Sequence, residues 1–114
     1  MKHITVSKMI KAIEKNGLPQ AHFQMFARGV DGEIVAACAL GQGLRNLGLD
    51  NSDSNWDLSS SSTGSHFRSE VMYLNDTCKE TIPVIVEILK EKFKNNGRAV
   101  VYDIYEEGDT RARD

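Results

Sequence analysis

The 114-residue sequence is poor in the residue types that mark several special protein classes. It holds two cysteines and three histidines, and none of them stand at the short spacings of a zinc site. No stretch approaches the ~18 apolar residues of a membrane span. Lysines interrupt the first residues, so no secretory signal is expected. These features predict a cytoplasmic protein with two free thiols, no metal site, no cofactor and no membrane partner.

An excess of charge of one sign is also missing. Fourteen Lys and Arg face sixteen Asp and Glu, which gives a net charge of −2 at pH 7. A basic footprint typical of nucleic-acid binding is therefore absent, and nucleic acid is not an expected partner. The length indicates one domain. We expect it to cover residues 1–106, with a serine-rich loop at 50–65 and a frayed tail at 107–114.

Hydrophobic periodicity predicts most of the regular structure. Apolar residues at helical spacing predict four helices, at 5–16, 34–47, 66–74 and 82–95. The last helix has two candidate N-caps. Thr81 is preferred, because it places Pro83 in the first turn; a start at Thr77 places this proline at the sixth position, where it costs about 3 kcal/mol.

Strand signals are weaker and concentrate near the C-terminus. Residues 99–106, AVVYDIYE, are rich in β-branched and aromatic side chains and predict a strand. Residues 22–28 fit either a short strand or a short helix. The predicted class is thus α+β and mainly α. Because one strand leaves its backbone groups unpaired, 99–106 must pair with 22–28, with a strand that the pattern does not reveal, or with a second copy of the chain. Of these we expect 22–28 or a second copy.

Two glycines stand inside the second predicted helix. Gly41 and Gly43 each cost about 1 kcal/mol relative to alanine in a helix interior. Close approach of another backbone would offset that cost. Alternatively, the helix begins only near Ala39 and Gly41 helps a bend. In either case we expect the architecture to depend on Gly41.

Three fragments carry a resemblance to a known family. They are KAIEKNGLPQAHF at 11–23, which starts within the first predicted helix, CALGQGL at 38–44 and YLNDTCKET at 73–81. Together they resemble a family of small phage and bacterial proteins without an assigned activity, the DUF6197-like group. The resemblance spans roughly residues 5–93 and implies a location in the host cytoplasm if the chain is phage-encoded. The shared positions are Cys38, Ala39, Leu40, Gly41, Asn75, Asp76 and Thr81.

These shared positions have structural and functional interpretations. Cys38, Gly41 and Thr81 fit a structural motif of core packing, close approach and helix capping. Asn75 and Asp76 fit either an Asx-type turn at a helix junction or a polar pair that faces a pocket. Cys78 precedes a helix N-terminus, but no sequence feature places a histidine beside it. We therefore assign no catalytic residue.

A binding site is the remaining functional hypothesis. Trp56 stands in the serine-rich loop and either anchors that loop or meets a partner, since tryptophan is enriched at binding hot spots. The sequence predicts a non-enzymatic interaction protein that binds a host protein or associates with itself. The alternative is a small-molecule or nucleotide-binding protein that sequesters its ligand. The candidate binding residues are Trp56, Arg68, Tyr73, Asn75 and Asp76.

Overall fold

The computed structural model describes residues 2–15, 17–49 and 56–105. Within these residues the chain forms four α-helices and five β-strands in two antiparallel sheets. In chain order they are β1 Lys2–Thr5, α1 Val6–Glu14, β2 Phe26–Arg28, β3 Ile34–Ala37, α2 Ala39–Asn46, β4 Trp56–Leu58, α3 Ser62–Met72, α4 Ile82–Lys92 and β5 Val100–Ile104. A π-helical turn, Tyr73–Thr77, continues α3. The structure is 45% helical and 21% strand, and its five strands form two sheets, so the prediction of a mainly α fold with one or two strands is wrong.

The larger sheet has the order β1-β5-β4, with β5 in the centre. Residue His3 pairs with Asp103, and Trp56 pairs with Ile104. The prediction that the C-terminal strand pairs with residues 22–28 or with a second copy is therefore wrong. Both of its real partners are short, and charged or polar residues such as Lys2 and His3 hide their strand signal.

The smaller sheet is a hairpin of β2 and β3. Its turn contains Gly32 at φ 81°, a left-handed conformation that suits glycine. The helix predicted at 34–47 is thus wrong over its first four residues, where β-branched Ile34 and Val35 favour a strand. The chain changes direction at Cys38 and α2 begins at Ala39, as the alternative reading of this segment expected.

The first and last predicted helices are present with shorter bounds. Helix α1 buries an apolar stripe, and the Thr5 hydroxyl caps it by accepting a 3.3 Å hydrogen bond from Lys8 N. Helix α4 ends at Lys92 rather than at residue 95. Thr81 occupies the N-cap position, but its side chain makes no capping hydrogen bond, and Pro83 lies in the first turn as predicted.

The predicted serine-rich loop at 50–65 is partly regular. Residues 50–55 lie outside the described residues, as does the predicted tail at 107–114. Beyond them, β4 adds to the larger sheet, and α3 begins at Ser62 instead of His66. Ser61 caps α3 by accepting a 3.1 Å hydrogen bond from Gly64 N. Serines near the start of this helix therefore act as capping and early-turn residues rather than as loop residues.

The hydrophobic core lies between the helices and the larger sheet. Its largest fully buried side chains include Tyr102, Phe67, Met9, Ile13, Leu40 and Leu44. In the part of the chain that the structure describes, no helix combines the length and apolar character needed to cross a membrane.

Candidate functional site

Asn75 is the centre of a buried hydrogen-bond network. It lies in the π-helical turn and is 0% exposed. Its Nδ2 donates to Ala21 O at 2.9 Å and to Asp76 Oδ1 at 2.7 Å. Its Oδ1 accepts hydrogen bonds from Ala39 N at 2.9 Å and from Gln20 Nε2 at 2.8 Å. All the hydrogen-bonding capacity of this amide is used, which is what a buried polar side chain requires.

The network joins three segments that are far apart in sequence. Ala39 N is one of the free N–H groups at the start of α2, so Asn75 completes that helix end from another element. Gln20 also donates to Glu80 O at 2.8 Å, which ties the segment after α1 to the turn before α4. Of the two interpretations of Asn75, the junction role is therefore the one that its contacts support.

Asp76 connects the buried network to the surface. Its Oδ1 accepts a 2.8 Å hydrogen bond from Phe23 N as well as the bond from Asn75. Asp76 is half-buried, whereas the Phe23 residue is 72% exposed. A carboxylate therefore fixes the backbone of a residue whose large apolar ring stays in solvent.

The backbone of Phe23 is strained. Its φ is 63°, in the left-handed region that a bulky side chain rarely adopts. Lys79, with φ 54°, is the other non-glycine residue at positive φ in the described chain, and its Nζ lies 5.8 Å from the Phe23 ring centroid. Two such residues in contact cost on the order of 1–3 kcal/mol each. Nothing in the hydrophobic periodicity identifies Phe23, because the signal is its backbone conformation.

Cys38 does not have the properties of a nucleophile. Its thiol is buried at the N-cap of α2 and accepts a 3.4 Å hydrogen bond from Gly41 N. Burial raises the pKa of the Cys38 thiol, the charge of Asp76 adds to the rise, and the backbone hydrogen bonds from Gly41 and Leu40 oppose it. The thiol is therefore protonated at neutral pH and acts as a core residue.

Gly41 sits where α2 meets the end of the segment before β2. A Cβ at this position would collide with the carbonyl oxygen of Met25. The close backbone approach expected from the sequence is therefore present at Gly41. At Gly43 the neighbours are side chains instead, those of Met9 and Ile13.

Tyr73 and Cys78 form a separate exposed pair. A side-chain hydrogen bond with Cys78 raises the pKa of the Tyr73 phenol, and 54% of the Tyr73 residue is exposed. Cys78 is a free, exposed thiol.

Arg68 and Trp56 meet through Tyr102, a buried residue of β5. The Arg68 guanidinium donates to Val101 O and lies 5.7 Å from the Tyr102 ring centroid. The Trp56 ring packs edge-on against the same ring at 5.0 Å. Burial raises the pKa of the Tyr102 phenol, and the charge of Arg68 partly opposes this rise. Trp56 is half-buried in β4, so its contacts support the anchoring interpretation.

Surface clefts lie away from these clusters, among them the following two. One of about 410 Å³ opens at the start of α3 and is lined by Ser62, Thr63, His66, Lys92, Phe93 and Asn96. A smaller pocket of about 180 Å³ lies on the first turns of α4 and is lined by Glu14, Ile82, Pro83, Val86 and Glu87. None of the sequence-predicted binding residues lines either one.

Neither a metal-binding cluster nor a related protein helps to define the function of this site. Among residues 2–15, 17–49 and 56–105, no three His, Cys, Asp or Glu side chains are grouped to hold a metal ion. Comparisons of the chain with protein-family models, with curated proteins and with solved structures find no match.

Proposed function

We propose that this protein is a non-enzymatic interaction protein that binds another protein through a surface centred on Phe23. This surface, called here the Phe23 surface, comprises Phe23, Met25 and Lys79. The phage or bacterial origin implied by the sequence resemblance forms part of the proposal, and in that case the partner is a host protein or a second copy of the chain.

The observation that carries this proposal is the combination of exposure and strain at Phe23. Its residue is 72% exposed although its backbone is held at φ 63° by Asp76. An exposed aromatic ring contributes little to folding, and the strained backbone costs free energy. Both features favour binding. A partner that buries the ring gains apolar contact, and a ring already held in one orientation loses little conformational entropy.

Strand β5 and Trp56 are less suited to contact a partner than Phe23. Strand β5 is paired on both edges, so it offers no free edge for self-association. The Trp56 ring packs on Tyr102 and fixes β4, so it is less available to a partner. Of the predicted binding residues, Asn75 and Asp76 support the Phe23 surface from beneath rather than contacting a partner.

A Phe23 variant tests the proposal. Glycine adopts positive φ freely, so Phe23→Gly removes the ring and also relieves the strain. The matched control is Val30→Ala, because Val30 is fully exposed and lies in the hairpin turn. A protein retained by the immobilised wild-type chain is identified by mass, purified, and titrated against all three forms.

We expect the purified partner to bind the wild type and the Val30 variant alike. Loss of a hot-spot aromatic should weaken binding of Phe23→Gly by about thirtyfold or more. Equal affinity for Phe23→Gly overturns the proposal. So does a wild-type chain that retains no partner and shows no self-association.

The 410 Å³ cleft favours a second candidate function, the binding of a small anionic ligand. Its volume falls in the usual range for ligand sites, and its lining includes His66, Lys92 and the first two residues of α3, Ser62 and Thr63. It ranks second because Lys92 already pairs with Glu70 at 3.0 Å. Thermal unfolding with ATP, GTP and inorganic phosphate tests it, since a ligand raises the melting temperature of the wild type but not of His66→Ala. Unchanged melting with all three removes this candidate.

A further inference from the structure

The chain carries a pocket whose shape and charge complement its own Phe23 surface. The walls of the 180 Å³ pocket on α4 include Ile82, Pro83 and Val86, and two carboxylates, Glu14 and Glu87, stand at its edge. An apolar cavity of about 150 Å³ is large enough to hold a benzene ring. The pocket is therefore of a size that accepts a phenylalanine side chain.

We propose that the partner of the Phe23 surface is a second copy of this chain, whose α4 pocket receives the Phe23 ring while Glu87 pairs with Lys79. This proposal rests on the proposed function, because it names the partner of the same surface.

A partner that buries the Phe23 ring also buries the Lys79 ammonium beside it, so the charge of Lys79 determines which charge the partner needs. The Lys79 ammonium lies 5.8 Å from the Phe23 ring centroid, so a partner that covers the ring also removes water from the ammonium. A buried charge is costly unless an opposite charge pairs with it. In the described part of the chain Lys79 makes no ion pair, so the receiving surface must supply the carboxylate.

The two carboxylates that line the pocket are only partly neutralised by the chain's own cations. Glu14 and Glu87 share one ammonium, that of Lys90. It lies 3.0 Å from the Glu14 carboxylate and, at a longer distance of 4.0 Å, from that of Glu87. The Glu87 side chain is 78% exposed. An incoming Lys79 therefore balances two carboxylates with two ammonium groups.

The Phe23 ring and the α4 pocket lie on neighbouring segments of the fold. Lys79 stands three residues before Ile82, and the 2.8 Å bond from Gln20 to Glu80 O fixes the segment that leads to Phe23 beside this turn. A chain in which an exposed ring and a pocket that can receive it lie on neighbouring segments suits a two-fold dimer, in which each copy supplies both parts.

The first experiment measures the self-association constant of the full chain by sedimentation equilibrium over a wide range of concentrations. We expect a reversible dimer for the wild type and for Val30→Ala, and a dissociation constant about thirtyfold higher or more for Phe23→Gly. Circular dichroism and thermal unfolding confirm that each variant is folded. A wild type that is monomeric throughout, or a Phe23→Gly chain that dimerises like the wild type, overturns the proposal.

A charge exchange tests the proposed ion pair. Lys79→Glu and Glu87→Lys should each weaken the dimer about tenfold, because like charges then face each other. The double variant restores the opposite charges and should recover most of the wild-type constant. Glu91→Lys is the matched control, because its side chain is also 78% exposed, one turn further along α4.

The outcomes separate this inference from the proposed function. A double variant that dimerises no better than the single ones shows that Lys79 and Glu87 do not pair. A monomeric wild type that binds a purified partner through Phe23 overturns self-recognition and leaves the Phe23 surface as the binding site. A chain that does neither overturns both.

Discussion

The carboxylate of Asp76 holds the backbone N–H of Phe23 at 2.8 Å while Asn75, fully buried, holds the same oxygen at 2.7 Å. One oxygen atom thus links a fully buried amide side chain to a strained, exposed aromatic residue. Because Asn75 also binds Ala21 O and Ala39 N, the position of the Phe23 segment depends on the junction between the π-helical turn and α2. The stability of this junction and the display of the ring are therefore coupled.

Replacing Asp76 tests that coupling. Asp76→Ala leaves one N–H of the buried Asn75 amide without its partner and frees Phe23 N, so we expect the free energy of unfolding to fall by about 1–3 kcal/mol. Asp76→Asn keeps an acceptor oxygen and should lose less. Urea unfolding measures both. Equal stability of Asp76→Ala and the wild type would show that the link contributes nothing.

Asn75 should tolerate a carboxylate poorly. In Asn75→Asp the donor that serves Ala21 O and Asp76 Oδ1 becomes an acceptor, and a second carboxylate is placed beside Asp76 in a buried site. We expect a loss of about 3 kcal/mol or more at neutral pH. The loss should shrink as the pH falls, because a protonated carboxyl group can donate again. Asn95→Asp, at an exposed position, is the control and should change the urea midpoint little.

Replacement of Gly41 by a larger residue should destabilise the fold for steric reasons. In Gly41→Ala the new methyl group meets the Met25 carbonyl oxygen, which is backbone and cannot rotate away, so α2 must shift from the segment before β2. We expect a loss of about 1–3 kcal/mol, seen as a lower melting temperature. Gly17→Ala is the matched control, because a Cβ there has nothing within 4 Å. Similar melting of both variants would contradict the close approach.

The sequence predicts the elements whose signal is local. Helix α1 and helix α4 follow from their apolar stripes and from the position of Pro83. The periodicity predicts a helix over Ile34–Ala37, because residues of this segment lie at helical spacing with Leu40 and Leu44, but the chain turns at Cys38. Strands β1 and β4 have only four and three residues, too few for a period to show.

The candidate site was only partly predictable for a similar reason. Asn75 and Asp76 stand out in the sequence as a polar pair before a helix, but their partners Ala21 and Phe23 lie more than 50 residues away. Backbone strain at Phe23 arises from this tertiary contact and has no local signature. Arg68 and Trp56 likewise meet only because Tyr102 lies between them.

Trp56 should report on the docking of β4. It is the only tryptophan, and its ring packs against the Tyr102 ring at 5.0 Å. In Trp56→Ala the chain loses this edge-on contact and the apolar burial, so we expect the unfolding free energy to fall by about 1–3 kcal/mol. Trp56→Phe should keep part of the contact. A Trp56→Ala chain with the urea midpoint of the wild type would favour a partner-binding role for Trp56 instead.

Stability should fall in alkaline solution because of two buried acids. Burial raises the pKa of the Cys38 thiol and of the Tyr102 phenol, so the folded chain keeps protons that the unfolded chain releases. Their contribution is complete below the ordinary pKa values, about 8.5 for a thiol and about 10 for a phenol, and is lost as pH rises toward the folded values. Each group that stays protonated lowers the unfolding free energy by at most about 1.4 kcal/mol per pH unit.

Urea midpoints measured between neutral and alkaline pH check this expectation. Cys38→Ala and Tyr102→Phe should each flatten the decline, and Tyr102→Phe keeps the ring that Trp56 and Arg68 contact. A thiol reagent should modify one cysteine, Cys78, in the folded chain at neutral pH and both cysteines in urea. A midpoint that does not move with pH, or rapid modification of Cys38 in the folded chain, would show that water reaches these groups and that the interior beneath α2 is open.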